Sequence, residues 1–192
     1  EGLVDAVVSV ANQDYLGYVE IVLLLGGAED DSIPHLIRHF HCDNGVLRRA
    51  QEAGKDGTVI WRQGQRRVRL VLTGLQAKKD KFNVISPSIA ASFTALLDAD
   101  HRPTENWLSS SIVMFQDKDG GKLAAVQTRR LPLNASHLAQ IWDSAQNHLG
   151  NELVNKVLAR GGVFFTGTAA VFRTEILKRF PLSDSITEDT YL

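Results

Sequence analysis

Apolar and polar positions along this 192-residue chain follow two different periods, which predict helices and strands. Helical spacing is found over 3–13, 32–53, 83–92, 106–115, 136–160 and 173–180. Short continuous or alternating apolar runs, which are typical of strands, cover 19–25, 58–61, 67–73, 93–97 and 123–128. Because the two kinds of element are interspersed, we expect an α/β domain with a mostly parallel sheet and helices on both faces.

The long helical stretch 136–160 carries an apolar set at helical spacing. A core-facing helix is expected to turn such a set inward. The set consists of Leu138, Ile141, Trp142, Leu149, Leu153, Val157 and Leu158.

Composition and charge narrow the class of protein only slightly. Lys and Arg number 21 against 22 Asp and Glu, and the resulting net charge of -1 gives no reason to expect a nucleic-acid partner. A single cysteine, Cys42, excludes an internal disulfide framework and fits a reducing compartment. No apolar run approaches the roughly 20 residues that span a bilayer, and no signal peptide is visible. We expect residues 1–192 to be one soluble domain, cut from a longer protein.

The most informative stretch is the apolar run 93–97, which ends in Asp98 and Asp100 before Pro103. Ligands of open α/β sheets collect at the carboxyl ends of strands, where these carboxylates are expected. Two carboxylates so close repel one another unless a proton or a cation neutralises them. Oxygen ligands of this kind suit Mg²⁺ or Mn²⁺. The alternative is an acidic turn with a capping aspartate.

A second candidate metal site involves His35 and His39, which are four residues apart and would share one helix face. Such a pair can bind zinc. Because no matching second pair of ligands occurs elsewhere, a solvated helix face is the favoured interpretation.

Three motifs together suggest a family. They are L-L-D-A-D-H-R-P from Leu96, F-F-T-G-T-A-A-V-F-R from Phe164, and T-E-D from Thr187. In order and spacing they resemble the family-2 glycosyltransferases of the GT-A (Rossmann-like) fold. The similarity is greatest to the branch with cellulose, chitin and hyaluronan synthases and ceramide glucosyltransferase. Weaker matches are residues 9–15 to S-x-x-x-Q-x-Y and residues 78–83 to G-K-x-x-A-L-N. On this alignment the first strand and the C-terminal closing segment of the catalytic domain are missing.

The resemblance implies an inverting, metal-dependent transfer of a sugar from a nucleotide-diphosphate sugar, with UDP favoured, to a hydroxyl acceptor on a glycan or lipid. Asp189 would be the general base, and Asp100 with Asp98 would bind Mg²⁺ or Mn²⁺. The remaining predicted contacts are to the nucleotide sugar (Asp98, Lys81, Asn83, Glu188) and to the acceptor (Phe165, Thr166, Gly167, Thr168). Family members often hold this domain at the cytosolic face of a membrane, so the resemblance implies a membrane-associated parent protein.

Two departures from the family pattern leave alternatives open. Leu25 and Gly26 stand where an aspartate pair is usual, and Ala169 stands where an asparagine is usual. The acidic run 29–31 would either replace that pair or form a polar helix N-terminus. These changes also fit a catalytically idle domain that only binds nucleotide. A nucleotidyltransferase of similar fold is a third option, less favoured because the T-E-D and F-x-G-T motifs are not its marks.

Overall fold

The computed structural model describes residues 2–116, 120–131, 137–149, 165 and 167–182. The α-helices are α1 (Gly2–Ala11), α2 (Ser32–His39), α3 (Gly45–Ala53), α4 (Lys78–Ile85), α5 (Trp107–Gln116), α6 (Leu138–Leu149) and α7 (Thr174–Arg179). The strands are β1 (Val19–Leu25), β2 (Thr58–Gln63), β3 (Arg66–Leu72), β4 (Phe93–Leu96), β5 (Ala125–Gln127) and β6 (Ala170–Arg173). The mixture confirms the α/β class.

The first sheet has the strand order β1-β3-β2. Strands β1 and β3 are parallel, in a register that runs from Val19 opposite Arg66 to Leu25 opposite Leu72. Strand β2 pairs with β3 in the antiparallel direction, as expected for two strands joined by the short turn at Gly64. On this sheet the Glu20 carboxylate contacts the guanidinium groups of Arg67 and Arg69, so charges across neighbouring strands are paired.

The second sheet has the order β4-β6-β5, and both of its pairings are antiparallel. This corrects the expectation that the strand before Asp98 is part of a mostly parallel sheet. Among the strands that the structure describes, β1 and β3 form the one parallel pair. The physical reason is that β6 returns between β4 and β5 and runs against both. Strand β6 was not predicted, since its four residues are too few to show a period.

The first sheet is covered on both faces, and alternate residues of its strands point to the two sides. On one side, residues from α1, α2 and α3 pack with β1, β2 and β3. This first cluster comprises Val7, Leu23, Leu25, Ile33, Leu36, Val46, Ala50, Ile60, Val68 and Leu70. On the other side, α4 and the second sheet pack together. This second cluster comprises Val71, Phe82, Ile85, Phe165, Ala170, Phe172, Leu177 and Leu182, with Val22 and Leu24 of β1 against it.

A third cluster lies between α5 and the second sheet. Its buried members are Trp107, Leu108, Ile112, Phe115 and Val171. Val19 of β1 and Phe93 of β4 pack against it, so the first strand of one sheet and the first strand of the other share apolar neighbours. The two sheets are therefore built around a continuous interior.

Two predicted helix boundaries are corrected by the structure. The stretch 32–53 contains two helices, because the chain leaves the helical conformation between them and His41 takes a positive φ of 53°. Helix α4 starts at Lys78 and ends at Ile85, where a 3₁₀ turn over Ser86–Ser88 accommodates Pro87. A helix over 83–92 was therefore placed too late, since the proline ends the helix rather than beginning it.

Helix α6 does not turn its apolar side chains inward. Leu138 is 86% exposed and Trp142 is 67% exposed, and Ile141 and Leu149 are also exposed. The prediction of an inward face is wrong for these four residues, and Leu153, Val157 and Leu158 lie outside the described residues. Within the described ranges, no helix combines the length and apolar character needed to cross a bilayer.

Arg66, the first residue of β3, ties down the turn between α1 and β1. Its guanidinium donates to the carbonyl oxygens of Ala11, Gln13, Tyr15 and Gly17, at 3.1, 3.0 and 2.8 Å for the first, second and last. A planar group with five N–H donors suits a turn whose carbonyls converge. The turn is thereby fixed against the sheet.

Candidate functional site

The site is built where β4 ends. The strand stops at Leu96, and the chain then makes a turn in which the His101 amide donates to the Asp98 carbonyl oxygen at 3.1 Å. Within this turn, one ligand atom from each of Asp98, Asp100 and His101 lies within 4.8 Å of the others. The sequence predicted both carboxylates at this place, while His101 is a member that sequence reasoning missed. Its position directly after D-x-D was the available signal.

The three side chains differ in exposure, and one of them has a buried ring nitrogen without a hydrogen-bond partner. The Asp100 side chain is 87% exposed, that of Asp98 is 40% exposed and that of His101 is 24% exposed. His101 Nδ1 is buried, and although it lies 3.1 Å from Asp100 Oδ1, the contact lacks hydrogen-bond geometry. Two carboxylates and an imidazole nitrogen left without a hydrogen bond can together hold a divalent cation. The carboxylate oxygens suit Mn²⁺ or Mg²⁺, and the imidazole, a ligand of transition metals, favours Mn²⁺ of the two.

Strand β6 brings a second predicted segment to the same turn. The Thr168 hydroxyl oxygen accepts a hydrogen bond from the Asp98 amide at 2.9 Å, and Thr168 is 1% exposed. Gly167 precedes it with a φ of 80°, a conformation that favours glycine. Thr168 thus holds the backbone of the acidic turn, and Gly167 lets the chain pass close to it.

Phe165, the other described member of this segment, belongs to the core. It is 8% exposed and packs edge-to-face on Phe172 of β6, with ring centroids 5.1 Å apart. Thr166 lies outside the described residues. Contacts of this segment with an acceptor stay a prediction.

The structure adds Lys78 to the site. Its Nζ donates to Asp98 Oδ1 at 2.6 Å and to the Gly167 carbonyl oxygen at 2.5 Å. Sequence reasoning named Lys81, three residues further along α4. The signal for Lys78 was present, because in G-K-x-x-A-L-N the lysine stands five residues before the asparagine, and Lys78 has that spacing to Asn83.

The Asn83 side chain is used inside the protein. Its Nδ2 donates to the Leu182 carbonyl oxygen at 2.8 Å, and its Oδ1 accepts from the Leu182 amide at 3.0 Å. This paired contact fixes the chain after α7 against α4. Binding of a nucleotide sugar by Asn83 or Lys81 stays a prediction. Glu188 and the predicted base Asp189 lie outside the described residues.

The corner after β1 is where Leu25 and Gly26 stand in place of the aspartate pair. Leu25 is 7% exposed in the first cluster, so this position is a core position here. Asp30 Oδ1 accepts a hydrogen bond from the Ser32 amide at 3.0 Å, which satisfies a free N–H group at the start of α2. For Asp30 the structure therefore favours the helix N-terminus over a replacement for the missing aspartate pair.

The histidines of α2 are on the surface. His35 and His39 are both exposed, and the His39 ring stacks edge-on against Phe40. Among the residues that the structure describes, three or more metal-ligating side chains converge only at Asp98, Asp100 and His101. The solvated helix face remains the favoured interpretation for His35 and His39.

Comparison of the chain with models of known protein families gave no match, and comparison with curated proteins gave no significant match.

Proposed function

We propose that this protein is a metal-dependent, inverting glycosyltransferase that moves a sugar from a nucleotide-diphosphate sugar to a hydroxyl acceptor. The observation that carries the proposal is the convergence of Asp98, Asp100 and His101 at the end of β4, against the Gly167–Thr168 segment. The D-x-D and T-G-T motifs are 70 residues apart in sequence between Asp98 and Thr168, yet a hydrogen bond joins them. Their meeting supports a common site.

The finer fold we propose is the GT-A fold of the family-2 glycosyltransferases. Its support is the arrangement of the two sheets, because β1 supplies Val22 and Leu24 to the cluster that also contains Leu96 of β4. In the described structure β1 pairs with β3 and β4 pairs with β6, each through one edge.

The three metal-ligating residues and Asp189 each have a chemical role in this proposal. Asp98, Asp100 and His101 would hold the cation, which offsets negative charge on the departing diphosphate. Asp189 would accept the proton of the acceptor hydroxyl. At the same time the hydroxyl oxygen would form a bond to the anomeric carbon of the sugar, and the bond from that carbon to the diphosphate would break. A base within hydrogen-bond reach of that proton contributes about 10²- to 10⁴-fold in rate.

The test is calorimetric titration of the chain with UDP, with and without Mn²⁺. We expect binding that requires Mn²⁺ and is lost in Asp100→Asn. The matched control is Glu52→Gln, which removes one exposed carboxylate from α3 and should bind as the wild type does. Binding of GDP in place of UDP would change only the predicted nucleobase of the donor. Failure of both nucleotides to bind in the presence of Mn²⁺ would overturn the proposal.

The idle nucleotide-binding domain is kept as a second candidate because of one observation, the ion pair between Lys78 and Asp98, which occupies a carboxylate needed for the chemistry. The two candidates differ in turnover. Release of UDP from a UDP-sugar that requires Asp189 indicates transfer, whereas Mn²⁺-dependent UDP binding without any turnover indicates the idle domain. Release of pyrophosphate would indicate a nucleotidyltransferase.

A further inference from the structure

Lys78 connects three separate parts of the site. Its Nζ contacts Asp98 Oδ1 at 2.6 Å and the Gly167 carbonyl oxygen at 2.5 Å. The residue is the first of α4, so its backbone is fixed while its four-carbon side chain extends to the end of β4. One ammonium group thus bridges the helix, the acidic turn and the glycine-containing segment.

This ion pair contributes little to holding the fold together. The side chains are 43% and 40% exposed for Lys78 and Asp98, and ion pairs in contact with water add little to stability. Its larger effect is on the Asp98 carboxylate, because the ammonium supplies the positive charge that this carboxylate would otherwise take from a metal ion.

Resting on the metal-dependent function above, we propose that Lys78 is an internal cation that occupies Asp98 before the divalent ion binds and is displaced when it does. A cation at an ordinary ligand distance of about 2.1 Å from the same carboxylate would lie close to the ammonium, and two positive charges at such a distance repel strongly. Metal binding therefore works against Lys78. The released ammonium stays in the site beside the Gly167 carbonyl, where it can pair with an anionic group of the substrate.

The experiment measures Mn²⁺ affinity of the 192-residue chain by calorimetry or by the EPR signal of free Mn²⁺, in the absence of nucleotide. The variants are Lys78→Gln, which can still donate to the Gly167 carbonyl, and Lys78→Met, which cannot. We expect both to bind Mn²⁺ about tenfold more tightly than the wild type at low salt. The gain should shrink in 0.5 M salt, since salt screens charges in contact with solvent.

The matched control is Lys178→Gln. It removes the same charge from α7, which directly follows β6. The end of β6 that leads into α7 pairs with Phe93, and Phe93 is at the opposite end of β4 from Asp98. We expect its Mn²⁺ affinity to stay within about twofold of the wild type, because the charge is far from the site. Circular dichroism of each variant verifies that it is folded.

The outcomes separate this inference from the proposed function. If the wild type binds Mn²⁺ and both Lys78 variants bind it equally or more weakly, Lys78 positions Asp98 and the inference is overturned, while the function stands. An equal gain in Lys178→Gln also overturns it, since the effect would then be general charge. If no protein in the series binds Mn²⁺ without nucleotide, the inference is overturned, and the UDP titration described above decides the proposed function separately. Tight binding in the Lys78 variants alone supports the inference.

Discussion

Ala169 has a backbone conformation that alanine rarely adopts. Its φ is 56°, it is 5% exposed, and its carbonyl oxygen accepts hydrogen bonds from the Thr128 amide and hydroxyl at 3.0 and 2.7 Å. The hydrogen bonds hold the residue just after the Gly167–Thr168 segment. The strain is thus located where the chain must turn from the site into β6.

We expect Ala169→Val to lower the free energy of unfolding by about 2 kcal/mol or more, because a β-branched side chain is strongly disfavoured at positive φ. Ala169→Gly, the control, should change it by less than about 1 kcal/mol, since glycine adopts this conformation readily but gives up a buried methyl group. Urea denaturation followed by circular dichroism measures both. An Ala169→Val variant as stable as the glycine variant would show that the backbone there is not constrained.

Cys42 is a second residue whose surroundings determine its chemistry. Its Sγ donates to the Ile60 carbonyl oxygen at 3.1 Å. Burial, followed by the neighbouring Asp43 carboxylate, raises the pKa of the Cys42 thiol above its ordinary value of 9.0, while Arg49 opposes the rise. The raised pKa keeps the thiol protonated and unreactive near neutral pH.

Two consequences follow for Cys42 as pH rises. Alkylation by iodoacetamide should reach half of its maximal rate above pH 9.0, at a higher pH than in the unfolded chain. Because the folded protein holds this proton more tightly, the stability from this group is fully present below the unfolded pKa and is lost as pH rises through the folded pKa. A rate profile identical to that of a free thiol would contradict the raised pKa.

At the scale of elements, Gln13 joins three of them. This residue is 4% exposed; its Nε2 donates to the Ser9 and Thr104 carbonyl oxygens at 3.1 and 2.8 Å, and its Oε1 accepts from the Leu108 amide at 2.8 Å. The end of α1, the loop that follows the acidic turn and the start of α5 are therefore held by one amide. The site's loop depends on this junction for its position.

We expect Gln13→Leu to destabilise the protein by about 2 to 4 kcal/mol, because the Leu108 amide loses its partner in the interior and the Thr104 carbonyl keeps only the Trp107 amide. Gln13→Glu keeps an acceptor for Leu108 but places a buried carboxylate against the Ser9 and Thr104 carbonyl oxygens, so we expect it to be at least as destabilising at neutral pH and less so at a pH where the carboxyl is protonated. Thermal unfolding measures both. Equal stability of Gln13→Leu and the wild type would mean that water satisfies these groups.

Much of the element order could be predicted from the sequence, because strong periodicity was present where elements are long. Strand β1 begins and ends where its apolar run does, and α5 and β3 lie within a residue or two of their predicted bounds. What could not be predicted is pairing. The short run that forms β6 has no period. The antiparallel insertion of β6 between β4 and β5 is determined by tertiary packing and not by the local sequence.

The candidate site shows the same division. The place of Asp98 and Asp100 followed from a strand that ends in carboxylates, which is a local pattern. Two other contacts depend on how α4 and β6 pack. Lys78 contacts Asp98 from 20 residues away in sequence, and Thr168 contacts the Asp98 amide from 70 residues away. Helix α6 is the opposite case, since its local pattern was clear but the face stayed exposed.

At the scale of the whole molecule, β1 and β3 link the interior on both sides. Leu23 and Leu70 belong to the first cluster, whereas Val71 belongs to the second and Leu24 packs against it. Side chains of a strand alternate between faces, so neither cluster can lose these strands without affecting the other. The described structure should therefore unfold as one cooperative unit despite having two sheets.

Two tryptophans report on different regions and test this prediction. Trp61 packs against the first cluster and Trp107 is buried in the third, so single-tryptophan variants made with phenylalanine should show denaturation midpoints that coincide. Leu70→Ala, at a fully buried position, should lower the free energy of unfolding by about 2 to 5 kcal/mol. Both denaturation midpoints should then fall together. Leu138→Ala, at an exposed position of α6, is the control and should change neither. If Leu70→Ala moved the Trp61 transition and left the Trp107 transition in place, the two sheets would be independent folding units, and the site at the end of β4 would not depend on the first cluster.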